Sequence, residues 1–243
     1  MNQSESKEFQ SPPLYGMFNT IPQHYDLVNR VITWGFDRRW RWLAAHECLA
    51  TGPRRVLDLC SGTGDLAISL VRQAKNYAMV TALDFSETML AVAAKKAEAA
   101  VGKGRITFTH AEAGSLPFPN EHFDGVGISF AFRNLTYKNP VARMHIAEIF
   151  RVLTPGGRCV IVETSQPKSR VVRGLFHLYL RWVVAWAGHR LSGNRGAYQY
   201  LAESAARFYT AGEIKEMLMA AGFRQVSFRP LLFGVAGIHV AVK

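Results

Sequence analysis

The sequence predicts an α/β protein with a mostly parallel, seven-stranded sheet and an antiparallel hairpin at its C-terminal edge. Three observations predict this fold. Short apolar runs alternate with helix-favouring segments along most of the chain. A turn with two glycines, Gly62-Thr63-Gly64, joins the first apolar run directly to a helical segment. Two further apolar runs, separated by a turn that contains glycine, close the chain.

The elements follow in order along the chain. Ser86 is predicted to cap one helix, and Thr210 with Glu213 forms the capping box of another. Strands are predicted at residues 55–59, 79–83, 106–110, 125–130, 158–163, 224–230 and 238–242, and helices at 14–33, 37–50, 66–73, 87–101, 140–153 and 211–221. Right-handed crossovers place all β–α loops at the carboxyl edge of the sheet, so these loops converge on one crevice.

The chain is predicted to form one catalytic-size domain with additions. Residues 1–13 are polar and predict a disordered tail, and residues 14–50 predict an N-terminal helical lid over the substrate site. Residues 51–243 form the main domain, with an amphipathic insertion at about 168–196. A hydrophobic content of 49% in 243 residues is enough for one sizeable core.

Composition points to a cytoplasmic location. The first residues lack the apolar core of a signal peptide, and no apolar run is long enough to span a bilayer. The three cysteines, Cys48, Cys60 and Cys159, are isolated and have no metal-type spacing, so no metal is expected. The net charge of +11 favours contact with an anionic surface, either nucleic acid or phospholipid.

The glycine turn and the acidic residues around it predict a nucleotide-type cofactor site. Gly62 and Gly64 allow close backbone approach, and Asp84 ends the second strand, where it is placed to bind two ribose hydroxyls. The same spacing fits a dinucleotide site, but Asp58 and Asp65 on either side of the loop would repel a pyrophosphate. S-adenosylmethionine has no phosphate and carries two cationic groups. The charges therefore favour S-adenosylmethionine.

With these positions fixed, residues 50–243 resemble class I S-adenosylmethionine-dependent methyltransferases, which have a Rossmann-like fold. The chain is similar, over nearly its full length, to the quinone C-methyltransferases that methylate demethylmenaquinol and related benzoquinols. Four segments carry that resemblance: Phe18–Arg30 with Gly35–Trp40, Arg133-Asn134-Leu135-Thr136, Glu163–Pro167, and Tyr200–Ser204.

The resemblance implies which residues bind the cofactor. Thr63, Asp84, Glu112, Ala113 and Ser129 match positions that contact S-adenosylmethionine in that family. The complete predicted set also includes Asp58, Gly62 and Gly64 from the loop and Phe85 from the end of the second strand. Glu112 and Ala113 are expected near the adenine, and Ser129 beneath the transferred methyl group.

The chemistry of methylation at a ring carbon indicates what the catalytic residues must do. The carbon becomes nucleophilic when a hydroquinone hydroxyl loses its proton, so the substrate is expected to be reduced. Arg133 is predicted to stabilise the developing quinolate, with an ion pair to Asp37 or Glu163 as the structural alternative. His24 and Tyr25 are the predicted catalytic residues of the lid, whereas His145 is expected to be an ordinary helix residue.

The insertion is expected to face lipid. Its basic ridge contains Arg173, His177, Arg181 and His189, and its aromatic and aliphatic face contains Phe176, Tyr179, Trp182, Val183 and Trp186. Such a helix suits an anionic membrane surface or an isoprenoid tail. The expected partners are an isoprenoid quinol, an anionic membrane and a second copy of the chain, with no nucleic acid. An RNA methyltransferase and a non-catalytic cofactor-binding subunit are the alternatives.

Overall fold

A computed structural model describes residue 26 and residues 29–74, 77–184 and 202–243. Its elements are α1 (Phe36–Leu49), β1 (Arg55–Leu59), α2 (Asp65–Ala74), β2 (Met79–Asp84), α3 (Glu87–Val101), β3 (Ile106–His110), β4 (Phe123–Ser129), α4 (Phe132–Thr136), α5 (Ala142–Val152), β5 (Leu153–Thr164), α6 (Arg170–Tyr179), α7 (Ala211–Ala220), β6 (Gln225–Leu231) and β7 (Ala236–Val242). A π-helical turn, Leu180–Val184, continues α6, and a 3₁₀ turn, Leu232–Gly234, joins β6 to β7.

The seven strands form one sheet in the order β3-β2-β1-β4-β5-β7-β6. The five strands β3, β2, β1, β4 and β5 run parallel, whereas β7 is antiparallel to both β5 and β6. This arrangement confirms the predicted sheet with its antiparallel C-terminal edge. Because β1 lies in the middle of the parallel part, the glycine turn that follows it is central to the carboxyl edge.

Apolar side chains cover the sheet on both faces, as a parallel sheet requires. One cluster joins the strands to α5 and α7 through Ile149 and Leu218, which are fully buried. The other joins them to α1 and α2, where Ala44 and Leu70 are fully buried. The C-terminal part of the predicted lid segment, α1, therefore packs in the main core. The lid itself stays a prediction, because most of residues 14–28 lies outside the described residues.

Local signals set the helix ends as predicted. The Ser86 hydroxyl accepts a hydrogen bond from the Met89 amide at the start of α3. At the start of α7, Thr210 and Glu213 make both bonds of the capping box.

The fifth strand is longer than predicted. It begins at Leu153, five residues before the predicted Arg158, and runs through Pro155-Gly156-Gly157. The reason is tertiary pairing: the Gly156 amide donates to the carbonyl of the C-terminal residue Lys243 at 3.0 Å, and the Lys243 amide donates to the Gly157 carbonyl at 3.0 Å. A local turn signal is thus overruled by hydrogen bonds to a segment at the far end of the chain.

No helix within the described ranges combines the length and the apolar content needed to cross a lipid bilayer.

Candidate cofactor and substrate site

An open cavity lies at the carboxyl edge of the parallel strands. Its walls come from the loop after β1, the ends of β2 and β4, the segment after β3, and parts of α1, α4 and α5. The lining residues are Arg41, Cys60, Ser61, Gly62, Thr63, Asp65, Leu66, Leu83, Asp84, Phe85, Met89, Ala111, Glu112, Ala113, Ser129, Phe130, Ala131, Asn134, Leu135, Asn139 and His145. Seven predicted cofactor residues are among them: Gly62, Thr63, Asp84, Phe85, Glu112, Ala113 and Ser129.

Asp84 holds the glycine turn in place. One of its carboxylate oxygens accepts from the Gly62 amide at 2.8 Å, and the other accepts from the Ser86 amide at 2.9 Å. Burial raises the pKa of the Asp84 carboxyl, and the hydrogen bonds from the two backbone amides act against that rise. Gly62 has a φ of 53°, a left-handed conformation that favours glycine. The glycine turn and Asp84, the residue predicted to bind the ribose, are therefore joined by hydrogen bonds.

Gly64 and Asp58 shape the loop from behind the cavity wall. A Cβ atom on Gly64 would lie 3.0 Å from the Ala93 Cβ, so the glycine lets α3 pack against the turn. Asp58 is 1% exposed, and its Oδ2 accepts from the Ala67 amide at 2.8 Å. Burial raises the pKa of the Asp58 carboxyl to about 8. Neither residue is part of the cavity lining, so the structure places Asp58 beneath the loop rather than at its surface.

The predicted adenine side of the cavity lies at the ends of β2 and β3. Phe85, Glu112 and Ala113 line it, next to Met89 of α3. Phe85 is fixed through its carbonyl oxygen, which lies 2.8 Å from the His110 Nε2. An aromatic face beside a carboxylate can stack on a purine base and accept from its amino group.

His145 lines this cavity, although it was expected to be an ordinary helix residue. The residue is 6% exposed, and its Nδ1 lies 2.8 Å from the Leu135 carbonyl oxygen. A carbonyl only accepts hydrogen bonds, so Nδ1 carries the proton and Nε2 is left as an acceptor. Burial lowers the pKa of this imidazole, which keeps it neutral near pH 7. The mid-helix position of His145 in the sequence looks like that of any half-buried histidine, so no local signal identified it.

The other end of the cavity, at β4, is held by ionic contacts. The Arg41 Nε donates to the Ser129 hydroxyl at 3.0 Å, and its guanidinium carbon lies 5.3 Å from the centre of the Phe130 ring. Arg41 also forms an ion pair with Asp37 on the same helix and lies 3.6 Å from a carboxylate oxygen of Asp65.

A second cation, Lys96 of α3, links the glycine turn to the N-terminal segment. Its Nζ lies 2.6 Å from Asp65 and 2.5 Å from Asp26. Asp26 also accepts from the Thr63 hydroxyl at 2.6 Å. Asp26, which precedes α1 by ten positions, therefore contacts the cofactor loop directly.

Arg133 makes the ion pair that was the structural alternative for it. Its Nη1 lies 3.2 Å from the Glu163 Oε1 and donates to the Thr164 hydroxyl at 2.9 Å. The Arg133 amide donates to the other oxygen of Glu163 at 3.1 Å. Arg133 is 3% exposed and is not among the cavity-lining residues. Of the two partners considered for this ion pair, the structure shows Glu163, whereas Asp37 pairs with Arg41.

Two predicted catalytic residues, His24 and Tyr25, lie outside the described residues. Within the described ranges, no cluster of three or more histidine, cysteine or acidic side chains has metal-binding geometry.

The cavity residues fit S-adenosylmethionine. Asp84 sits at the expected ribose position, and Phe85 with Glu112 suits an adenine. Asp65 and Arg41 at the other end complement the ammonium and the carboxylate of an amino acid. A pyrophosphate would meet three carboxylates of this lining, Asp65, Asp84 and Glu112, at close range.

Comparisons with known proteins agree with this geometry. A family model described as the ubiE/COQ5 methyltransferase family matches residues 3–243. The chain is 43% identical to the demethylmenaquinone methyltransferase of Thermus thermophilus over 225 residues, which covers 92% of this chain and 98% of that protein. It is 37% identical to the ubiquinone/menaquinone biosynthesis C-methyltransferase UbiE of Geobacter sulfurreducens, covering 93% and 87%. A solved S-adenosylmethionine-dependent methyltransferase from Aquifex aeolicus, 18% identical, aligns with a TM-score of 0.55 over 78% of this chain and 81% of that one.

Proposed function

The chain belongs to the ubiE/COQ5 methyltransferase family, and from this premise we propose that it methylates a ring carbon of a reduced isoprenoid quinone. The methyl donor is S-adenosylmethionine. Demethylmenaquinol is the proposed acceptor, because demethylmenaquinone methyltransferases are similar to this chain over more than 90% of both lengths. The observation that carries the proposal is the cavity in which Asp84, the glycine turn and Ser129 meet at one sheet edge.

The residues of the cavity bind and orient the two reactants. When bound, S-adenosylmethionine supplies an electrophilic methyl group on a sulfonium. Asp84 would hold the ribose hydroxyls, and the Gly62 turn, which Asp84 fixes, would let the backbone approach the cofactor closely. Ser129 and Phe130 line the cavity at the end of β4, where the methyl group would lie. Alignment of the methyl group with the attacking carbon lowers the barrier, because binding has already restricted the relative motion of the two reactants.

The ring carbon needs electron density from an ionised hydroxyl of the quinol. We propose that Arg133 provides positive charge for the quinol oxygen and that His24 or Tyr25 accepts the proton. Two observations support the role of Arg133. It is the second residue of α4, the short helix that follows β4, and its Nε has no hydrogen-bond partner within the described residues. The ion pair with Glu163 fixes the guanidinium in one orientation.

We further propose that α6 docks on an anionic membrane, where an isoprenoid quinol resides. Val171, Leu175, Leu178 and Trp182 follow one another at spacings of four, three and four residues and are 54–73% exposed. Exposed Lys168, Arg170 and Arg181 flank this apolar stripe. Apolar side chains bordered by cations are typical of a helix that lies in the headgroup region of a bilayer.

The experiment that tests the reaction is the transfer of labelled methyl from S-adenosylmethionine to short-tailed demethylmenaquinone, with and without dithionite. We expect label in the organic phase only when the quinone is reduced. Transfer to the oxidised quinone would contradict the need for an ionisable hydroxyl. Demonstrated cofactor binding with no transfer would contradict the proposed acceptor, and benzoquinols and then RNA would be tested in its place.

A further inference from the structure

We propose that Arg41 binds the α-carboxylate of the methionine part of S-adenosylmethionine. The inference rests on the proposed function only for the identity of the cofactor. It adds a binding residue that neither the glycine turn nor the family resemblance indicated.

The strand order fixes which end of the cavity holds the amino acid. The residues proposed to contact the adenine, Glu112 and Phe85, follow β3 and β2, and the residue proposed to bind the ribose, Asp84, ends β2. The cofactor must therefore extend across β1 towards β4. Neighbouring strands are about 4.8 Å apart, so β3 and β4, three spacings apart, are separated by roughly 14 Å. The methionine part then reaches Ser129 and Phe130, and Arg41 contacts both of these residues.

The cavity lining offers one cationic side chain that can pair with the carboxylate of the cofactor. Asp65, Asp84 and Glu112 are acidic, and among the described residues of this lining Arg41 is the only one with a permanent positive charge. A carboxylate placed in a cavity with three other carboxylates needs such a cation. Lys96, the nearby cation of α3, contacts Asp65 and Asp26 but is not part of the lining.

Arg41 is held ready for this contact. Its side chain is 10% exposed, and Asp37, one helical turn earlier on α1, fixes Nη1. Ser129 fixes Nε, and the Phe130 ring lies beside the guanidinium plane. These contacts orient the guanidinium before the ligand arrives, so that little side-chain entropy is lost on binding. The planar, multi-donor guanidinium matches the geometry of a carboxylate.

The test measures ligand binding by calorimetry, not turnover. Two ligands are compared: S-adenosylmethionine and its decarboxylated form, which keeps the sulfonium and the amine but lacks the carboxylate. We expect Arg41→Met to weaken S-adenosylmethionine binding by about 10- to 100-fold, the usual range for a hydrogen bond between charged groups. Binding of the decarboxylated form should stay within about twofold of the original protein's, since the contact removed is absent from that ligand.

Two further variants keep the test decisive. Asp37→Asn combined with Arg41→Met removes both charges of the buried pair, so that no unpaired carboxylate destabilises α1. Arg72→Met removes an exposed arginine from α2 and should change neither affinity. Equal losses for both ligands, or no loss for either, in the double variant would overturn the assignment. Selective loss together with no methyl transfer to a quinol would support Arg41 and contradict only the proposed acceptor.

Discussion

Asp84 shows how one residue links fold and function at the smallest scale. Its carboxylate accepts hydrogen bonds from the Gly62 and Ser86 amides. It therefore holds both the glycine turn and the N-cap residue of α3, and it also lines the cavity. The sequence predicted the ribose role from the position of Asp84 after an apolar strand. The two hydrogen bonds from backbone amides give Asp84 a structural role as well, which the sequence did not predict.

We expect Asp84→Ala to weaken S-adenosylmethionine binding by about 100-fold or more. Two hydrogen bonds to a charged group, each contributing about 1.5–3 kcal/mol, are lost with the ribose hydroxyls. The matched control is Asp124→Ala, which also removes a carboxylate that binds two backbone amides, those of Arg54 and Arg55. The control should lower stability with little effect on affinity, as measured by calorimetry and thermal unfolding. Unchanged affinity of the Asp84 variant would refute the ribose assignment.

Arg133 requires a two-step test because it is both buried and paired. Arg133→Ala leaves Glu163, which is 1% exposed, without its cation, and we expect a stability loss of about 3–5 kcal/mol. Turnover should fall while S-adenosylmethionine still binds.

The combination of Arg133→Met with Glu163→Gln separates stability from chemistry. Removing both charges should restore most of the free energy of unfolding, as measured in urea. If turnover with the quinol stays low in this double variant, the positive charge takes part in the reaction. Recovery of full turnover would reduce Arg133 to a structural ion pair.

At the scale of single elements, α6 differs from every other long helix of the described chain, because none of its residues is buried. Its inner side, with Phe176 and Tyr179, packs on the small cluster that contains Leu180 and Ala205. The sequence grouped Phe176, Tyr179 and Trp182 on one face. The structure divides them, since Trp182 is 65% exposed and belongs to the outer apolar stripe. Trp186 and His189 lie outside the described residues.

We expect Leu175→Gln combined with Leu178→Gln to abolish flotation with anionic liposomes. Each leucine that enters the bilayer contributes about 1.5–3 kcal/mol, so the loss of two removes most of the apolar attraction. Met219→Gln, which changes an exposed apolar residue of α7, is the control and should still float. Turnover with a short-tailed, water-soluble quinol should be the same in all three proteins. Flotation of the double variant at the original level would contradict docking through α6.

At the scale of the whole molecule, stability depends on pH through buried histidines. His239 on β7 is 1% exposed, and its Nδ1 has no hydrogen-bond partner within the described residues. Burial lowers its pKa from 6.5 to about 4. In the unfolded chain the imidazole binds a proton below pH 6.5, whereas in the fold it stays neutral until about pH 4. The contribution of neutral, buried His239 to the stability of the fold is therefore fully present above pH 6.5 and is lost as the pH falls towards 4.

We expect this one group to account for about 3 kcal/mol of the free energy of unfolding between pH 7 and pH 4. The measurement is urea unfolding at a series of pH values for the original protein and for His239→Leu. As the pH falls from 7 to 4, the free energy of unfolding should decrease more for the original protein than for the His239→Leu variant. Parallel pH profiles would show that His239 is not the group responsible.

The sequence by itself determined the sheet, the cofactor loop and the helix ends, because their signals are local. An apolar run, two glycines followed by an acidic strand end, and a Thr210–Glu213 capping box each act within a few residues. Of the nine cofactor residues predicted from these signals and from the family resemblance together, seven line the cavity. The segment Arg133-Asn134-Leu135-Thr136 and the three other segments that resemble quinone C-methyltransferases predicted the family, and the comparisons confirm it.

Tertiary structure decided what depends on contacts between distant segments. Arg41 reaches Ser129 across 88 residues, and Arg133 meets Glu163 across 30. His145 enters the cavity because α5 packs beside the segment that follows β3, and Asp58 is withdrawn beneath the loop because its carboxylate binds the Ala67 amide. The physical reason is the same in each case. The charge and accessibility of a side chain depend on what packs against it, and packing partners far apart in sequence leave no local pattern.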